Sequence, residues 1–146
     1  MSKLKLNLGF TLIELLVVIS IIGILVAVSI FGLSGAREAS RDAKRKSDLE
    51  LIRSGLEIYK ADCNNYPNSI TFGGSLVGDN SPSSCAASNT YIAGIPSDPL
   101  NPTRVYLYSS NGSTYSICAS MEQGSGSQSC GGTNCGTTCN YKVDNP

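Results

Sequence analysis

The chain has 146 residues, and its 11 lysines and arginines balance its 11 aspartates and glutamates, so the formal net charge is zero. That balance provides no electrostatic footprint for nucleic acid, and the length suits one domain beyond any membrane segment. Histidine is absent, which removes the commonest general base and metal ligand; with no nucleophile–base pairing or phosphate-binding loop legible, an enzyme is not expected.

The chain opens on a short leader, residues 1–9, carrying Lys3 and Lys5. It is read as a targeting segment and left out of the fold. Residues 10–33 are apolar apart from Glu14 and some small or hydroxyl residues. A helix of this length rises roughly 36 Å, enough to cross a hydrocarbon core of about 30 Å. Glu14 is the anomaly, because a carboxylate in lipid costs on the order of 2.5–3.5 kcal/mol, less near a helix end. Such a residue usually has a partner and a function. An ordinary secretory signal, cut loosely at Ala27-Val28-Ser29, competes with this reading, but Glu14 within the apolar run argues against it. Gly23 and Ala27 have the small-xxx-small spacing that lets helices approach closely.

The run Gly9-Phe10-Thr11-Leu12-Ile13-Glu14, behind a basic leader, resembles the prepilin signature of type IV pilins and type II secretion pseudopilins. The resemblance implies that a membrane-embedded prepilin peptidase cuts after Gly9 and methylates the new amine of Phe10. It also implies a helical homopolymer built by a platform protein and an assembly ATPase in the inner membrane. The single-pass subunit would sit in membrane lipid before assembly, with its head extracytoplasmic, and then enter an extracellular or periplasmic filament. In physical terms, the Glu14 carboxylate lies one turn from the new ammonium group of Phe10. It pairs either with its own terminus or with that of the next subunit, and opposite charges attract strongly in a poor dielectric. The second pairing, which also sets register, is the role expected of Glu14. A lone acid snorkelling near a helix end is the plainer alternative. The positive-inside count opposes this orientation, because Arg37, Arg41, Lys44, Arg45 and Lys46 follow the apolar run. Exported cysteines and the resemblance outweigh it.

Residues 34–62 read as the amphipathic half of the same helix. Leu49, Ile52, Leu56, Tyr59 and Cys63 recur at a spacing of three to four and define an apolar face. Asp48, Glu50, Arg53, Glu57 and Lys60 fall opposite or beside it, with Glu57 and Lys60 spaced as a supporting ion pair. One helix is therefore expected from about Phe10 to about Asp62. A hinge at Gly32-Leu33-Ser34-Gly35 is the alternative. Many relatives carry a helix-breaking proline where this chain has Phe31.

Residues 63–146 read as a small head. Cys63-Asn64-Asn65-Tyr66-Pro67 ends the helix, and residues 69–90 read as a long loop bracketed by Cys63 and Cys85. Strands are expected at Arg104–Tyr108 and Thr114–Ala119, joined through Asn111-Gly112, with Tyr115, Ile117, Ala119 and Met121 on one face. Tyr141-Lys142-Val143 is a candidate last strand. The order Tyr-Pro, Ile-Pro-Ser-Asp-Pro, then a Tyr-x-Tyr strand looks like the major pseudopilin of type II secretion.

The six cysteines, Cys63, Cys85, Cys118, Cys130, Cys135 and Cys139, read as disulfides formed outside the cytoplasm. Cys63 with Cys85 is one expected pair. Cys118 is expected to reach one of the last three, leaving the other two to pair. Zinc is disfavoured because no Cys-x-x-Cys occurs. The pseudopilins that this chain resembles bind calcium in the head, but the tail here offers only Glu122 and Asp144, so no metal and no cofactor is expected. The fold class is thus α+β, a pilin-like lollipop: a long N-terminal helix whose second half packs on a small antiparallel sheet. The function expected is a structural filament subunit. A membrane-anchored, cysteine-rich extracytoplasmic binding module that does not polymerise is the alternative.

Overall fold

The computed structural model describes residues 9–146, the Phe31 side chain apart. The leader readings at Lys3 and Lys5 lie outside the described residues. Helix α1 spans Leu12–Cys63 and includes Gly32 and Gly35, where a hinge was the alternative. Five strands follow: β1 (Leu76–Val77), β2 (Thr90–Ile92), β3 (Leu107–Ser110), β4 (Tyr115–Ala119) and β5 (Tyr141–Asp144). The chain divides into two compact units, one ending at Arg37 and the other starting at Glu38.

The first unit is helix from Leu12 onward, with its side chains exposed from Phe10 to Ile30 and again at Leu33. An 18-residue window there has a mean hydropathy of 2.9, so by length and composition it qualifies as a membrane span.

In the second unit, the part of α1 after Glu38 buries the face that the 3.6-residue period marks out. Leu49, Ile52 and Leu56 are fully buried, with Tyr59 and Cys63 nearly so. They pack with Tyr106, Tyr115, Ile117, Ala119 and Val143 into one core. Full burial of such an aliphatic side chain contributes roughly 1.5–3 kcal/mol. The sheet order is β3-β4-β5, all antiparallel, and a separate antiparallel pair joins β1 to β2. Alternation along β4 sends Tyr115, Ile117 and Ala119 into the main core, while Cys118 faces the tail cysteines on the other side. Asn111 closes the β3–β4 connection: its Oδ1 accepts from the Ser113 and Thr114 N–H groups, and its own N–H donates to the Thr114 carbonyl.

Four expectations need correction. Residues 69–90 are not loop throughout, since β1 lies inside that stretch and β2 starts at its end. Strand β3 begins at Leu107 instead of Arg104, because Arg104 and Val105 donate their N–H groups to the carbonyls of Leu100 and Cys135. Asp48 is buried, because its Oδ2 accepts the Tyr106 hydroxyl at 3.0 Å and Lys44 pairs with its Oδ1. Glu57 and Lys60 do not pair with each other. Glu57 accepts the hydroxyls of Tyr66 and Tyr115 at 3.0 and 3.2 Å, while the Lys60 ammonium lies 4.3 Å from the Tyr66 ring centroid.

Candidate assembly site and the clasp of the head

The helix begins on a capping box. Thr11 precedes α1, and its N–H and hydroxyl both donate to Glu14 Oε2, at 2.9 and 2.6 Å. The Glu14 N–H points back to Thr11 Oγ1 at 3.3 Å. Two N–H groups that a helix start leaves without intrahelical partners are thereby satisfied. Glu14 is thus held against its own first turn, its Oε1 taking part in neither bond. Around it, Phe10, Ile13, Val17 and Val18 line a shallow apolar recess of about 360 Å³. Phe10 is 87% exposed, so the residue after the expected cut and the lone acid share one apolar surface. Thr11 is the residue of this candidate site that the sequence reading missed, although Thr-x-x-Glu before an apolar run was legible as a capping signal.

A second polar cluster lies in the head unit. Arg45 is fully buried. Its Nε and Nη2 reach the two oxygens of Asp98 at 2.7 and 3.0 Å. Its Nη1 reaches Asp42 at 2.7 Å and Glu122 Oε1 at 2.8 Å. Arg41 Nε donates to that same Glu122 oxygen at 2.6 Å. Asp42 also accepts the N–H groups of Glu122 and Gln123, both at 2.9 Å. Hydrogen bonds from Arg41 first, and then from Arg45, outweigh burial and hold the Glu122 carboxyl down at about 2. At Asp42 burial opposes ionisation, but the backbone N–H groups and Arg45 prevail and lower its pKa. Burial likewise works against Arg45, and its three carboxylate partners overcome it, raising its pKa.

The six cysteines form Cys63–Cys85, Cys118–Cys130 and Cys135–Cys139. The first ties the C-terminal end of α1 to the loop between β1 and β2. The other two pack together under Leu107. The Cys63 and Cys85 sulfurs also lie close to Asp79, but sulfurs joined in a disulfide provide no thiolate to hold a metal.

Calcium does not fit the donors present. Glu122 has both oxygens on arginines, and Asp144 Oδ1 accepts from Ser116 and Lys142. Between Gly124 and Cys139 there is no aspartate or glutamate, whereas calcium gathers six to eight oxygens, several of them charged.

An exposed apolar helix with one capped acid, leading into a disulfide-stapled antiparallel sheet, is the build of a pilin-class subunit. Residues 4–33 match the prokaryotic N-terminal methylation motif, and residues 33–135 match the type II secretion system protein G family. The chain belongs to that family, a family of structural pseudopilins. It is 30% identical to the type II secretion system core protein G of Escherichia coli (strain K12), over 80% of this chain and 82% of the relative. The core protein G of Vibrio cholerae serotype O1 is also 30% identical, over 73% of this chain and 75% of the relative. The Aeromonas hydrophila core protein G is 35% identical over 62% of this chain, and the match spans 66% of that relative. No solved structure gives a significant match.

Proposed function

We propose that this chain is a structural subunit of a type II secretion pseudopilus, with residues 1–9 as the leader removed by a prepilin peptidase. Residues 10–33 then serve first as the membrane span and later as the assembly helix, residues 34–62 as its amphipathic continuation, and residues 63–146 as the disulfide-stapled head. The observation that carries this reading is the exposed apolar surface from Phe10 to Ile30 with Glu14 as its single charge. Such a surface is stable only under lipid or under neighbouring subunits. Glu14 passes from its Thr11 cap to the methylated ammonium group of Phe10 on an adjoining copy, which sets the axial register. The inner membrane holds the subunit before assembly, and a platform protein and ATPase drive its extraction.

Disulfides support an oxidising, extracytoplasmic side for the head. Four of the cations that follow the apolar run within α1 fit the same orientation, because the folded second unit engages them. Arg41 pairs with Glu122, Lys44 with Asp48 and Arg45 with three acids, while Lys46 lies 5.8 Å from the Tyr141 ring centroid.

The test is Glu14→Ala expressed with the secretion machinery. Expected results are normal insertion, a mature N-terminus at methylated Phe10 by mass spectrometry, and loss of fibres. Wild-type fibre yield from this variant would remove Glu14 from assembly. An N-terminus at Met1 or beyond Ala27 would overturn the processing itself.

A further inference from the structure

The donor set leaves no place for the calcium ion that the resemblance implies, yet the tail after β4 is not loose. We propose that Arg45 is the resident cation of this head, and that the head holds its tail without a metal ion. Three acids from three separate segments converge on Arg45: Asp42 from α1, Asp98 from the loop after β2, and Glu122 from the segment that follows β4. Asp98 and Glu122 lie 53 and 77 residues away in sequence. The guanidinium is planar and presents five donors in a fixed fork. Here Nε and Nη2 grip Asp98 as a pair, while Nη1 is shared between Asp42 and Glu122. With Arg45 fully buried, water cannot take over these contacts. No buried side-chain nitrogen or oxygen among the described residues lacks a hydrogen-bond partner. Asp42, Asp98 and Glu122, the carboxylates that a metal would recruit here, are therefore already paired and turned toward Arg45.

A guanidinium supplied by the chain is permanently charged and cannot dissociate, so its occupancy does not follow the ion concentration outside. The glycine-rich run beyond Glu122 is closed by covalent means, through Cys118–Cys130 and Cys135–Cys139. Asp42 completes the clasp by accepting the N–H groups of Glu122 and Gln123. The same side chains thus neutralise a charge and fix the path of the tail. Calcium-indifference and dependence on oxidation follow together from this arrangement.

The test uses the full chain in detergent micelles, followed by thermal melting and by hydrogen exchange of residues 122–140. Wild-type protein should melt at the same temperature, with the same tail exchange, in calcium chloride and in a calcium chelator. A rise in melting temperature with calcium, or tail protection lost in chelator, would overturn the proposal. Arg45→Gln leaves buried acids without their partner, so tail exchange should rise by roughly 10²–10³-fold at either calcium level. Should that variant fail to fold, Glu122→Gln serves, with an expected rise of about tenfold. Wild-type exchange in Glu122→Gln would count against Arg45 as the clasp. Reduction of the disulfides should speed tail exchange whether or not calcium is present, and protection restored by calcium in the reduced chain would refute the idea.

Discussion

Alanine substitutions at Gly94, Gly126 and Gly136 separate backbone strain from crowding in this head. Gly136 lies within the Cys135–Cys139 loop at φ +88°, and a Cβ there would stand 2.0 Å from the Thr103 carbonyl oxygen and 2.9 Å from Arg104 Cα. Both obstacles are backbone, so no rotamer change relieves them. The left-handed conformation costs a side chain about 1–2 kcal/mol and overpacking about 1–3 kcal/mol, giving roughly 2–5 kcal/mol for Gly136→Ala. Gly126 has φ +93° with nothing within 4 Å, so only the first cost applies, about 1–2 kcal/mol. Gly94 has neither feature, and its alanine variant should stay within about 0.5 kcal/mol of the parent. Urea denaturation of the full chain in micelles, followed by tyrosine fluorescence, reads all three, and equal slopes would confirm that only stability has changed. A Gly136→Ala variant as stable as Gly94→Ala would refute the reasoning.

Acid should loosen the clasp. Glu122 and Asp42 have lowered pKa values in the folded state, so the stability they supply is present above the ordinary carboxylate range and is lost as pH falls from about 5 toward 2. For Glu122 the displacement from 4.5 to about 2, screened by solvent, is worth about 1–2 kcal/mol, and an acid-unfolding profile of Glu122→Gln should be flatter than that of the parent. Alkali acts through Tyr66, which burial first and Glu57 second push up to about 12. In the unfolded chain a tyrosine ionises at about pH 10, so stability should fall between about pH 10 and 12, as read by tyrosinate absorbance during unfolding. Leu56→Ala, at a fully buried position, should cost about 2–5 kcal/mol in the same urea assay. Leu51 and Ile58 lie two turns apart on α1 and are 50% and 57% exposed. The Leu51→Asp, Ile58→Asp double variant should therefore melt like the parent yet assemble fewer fibres, and undiminished fibre yield would exclude this face from subunit contact.

Much of the fold was legible because its causes are local. The period of Leu49, Ile52, Leu56 and Tyr59 belongs to the helix itself, and alternation along Tyr115–Ala119 belongs to the strand, so the core faces followed from spacing. The capping box at Thr11 and Glu14 was equally local. Strands β1 and β2 were not legible, because two- and three-residue ladders carry too little periodicity to stand out.

The residues alone determined where an apolar helix runs, which single charge interrupts it, which cysteines are available to pair, and that no histidine chemistry is possible. Tertiary structure decided the fate of the charges and the choice among cysteines. Asp48 is buried because Tyr106 reaches it from 58 residues away, and Arg45 is buried because Asp98 and Glu122 come to meet it. Cys118 faces Cys130 because β4 turns that side chain to the tail. Local pattern sets which face of an element is apolar, but a polar group leaves water only where distant segments supply its partners, and that meeting exists only once the chain has folded.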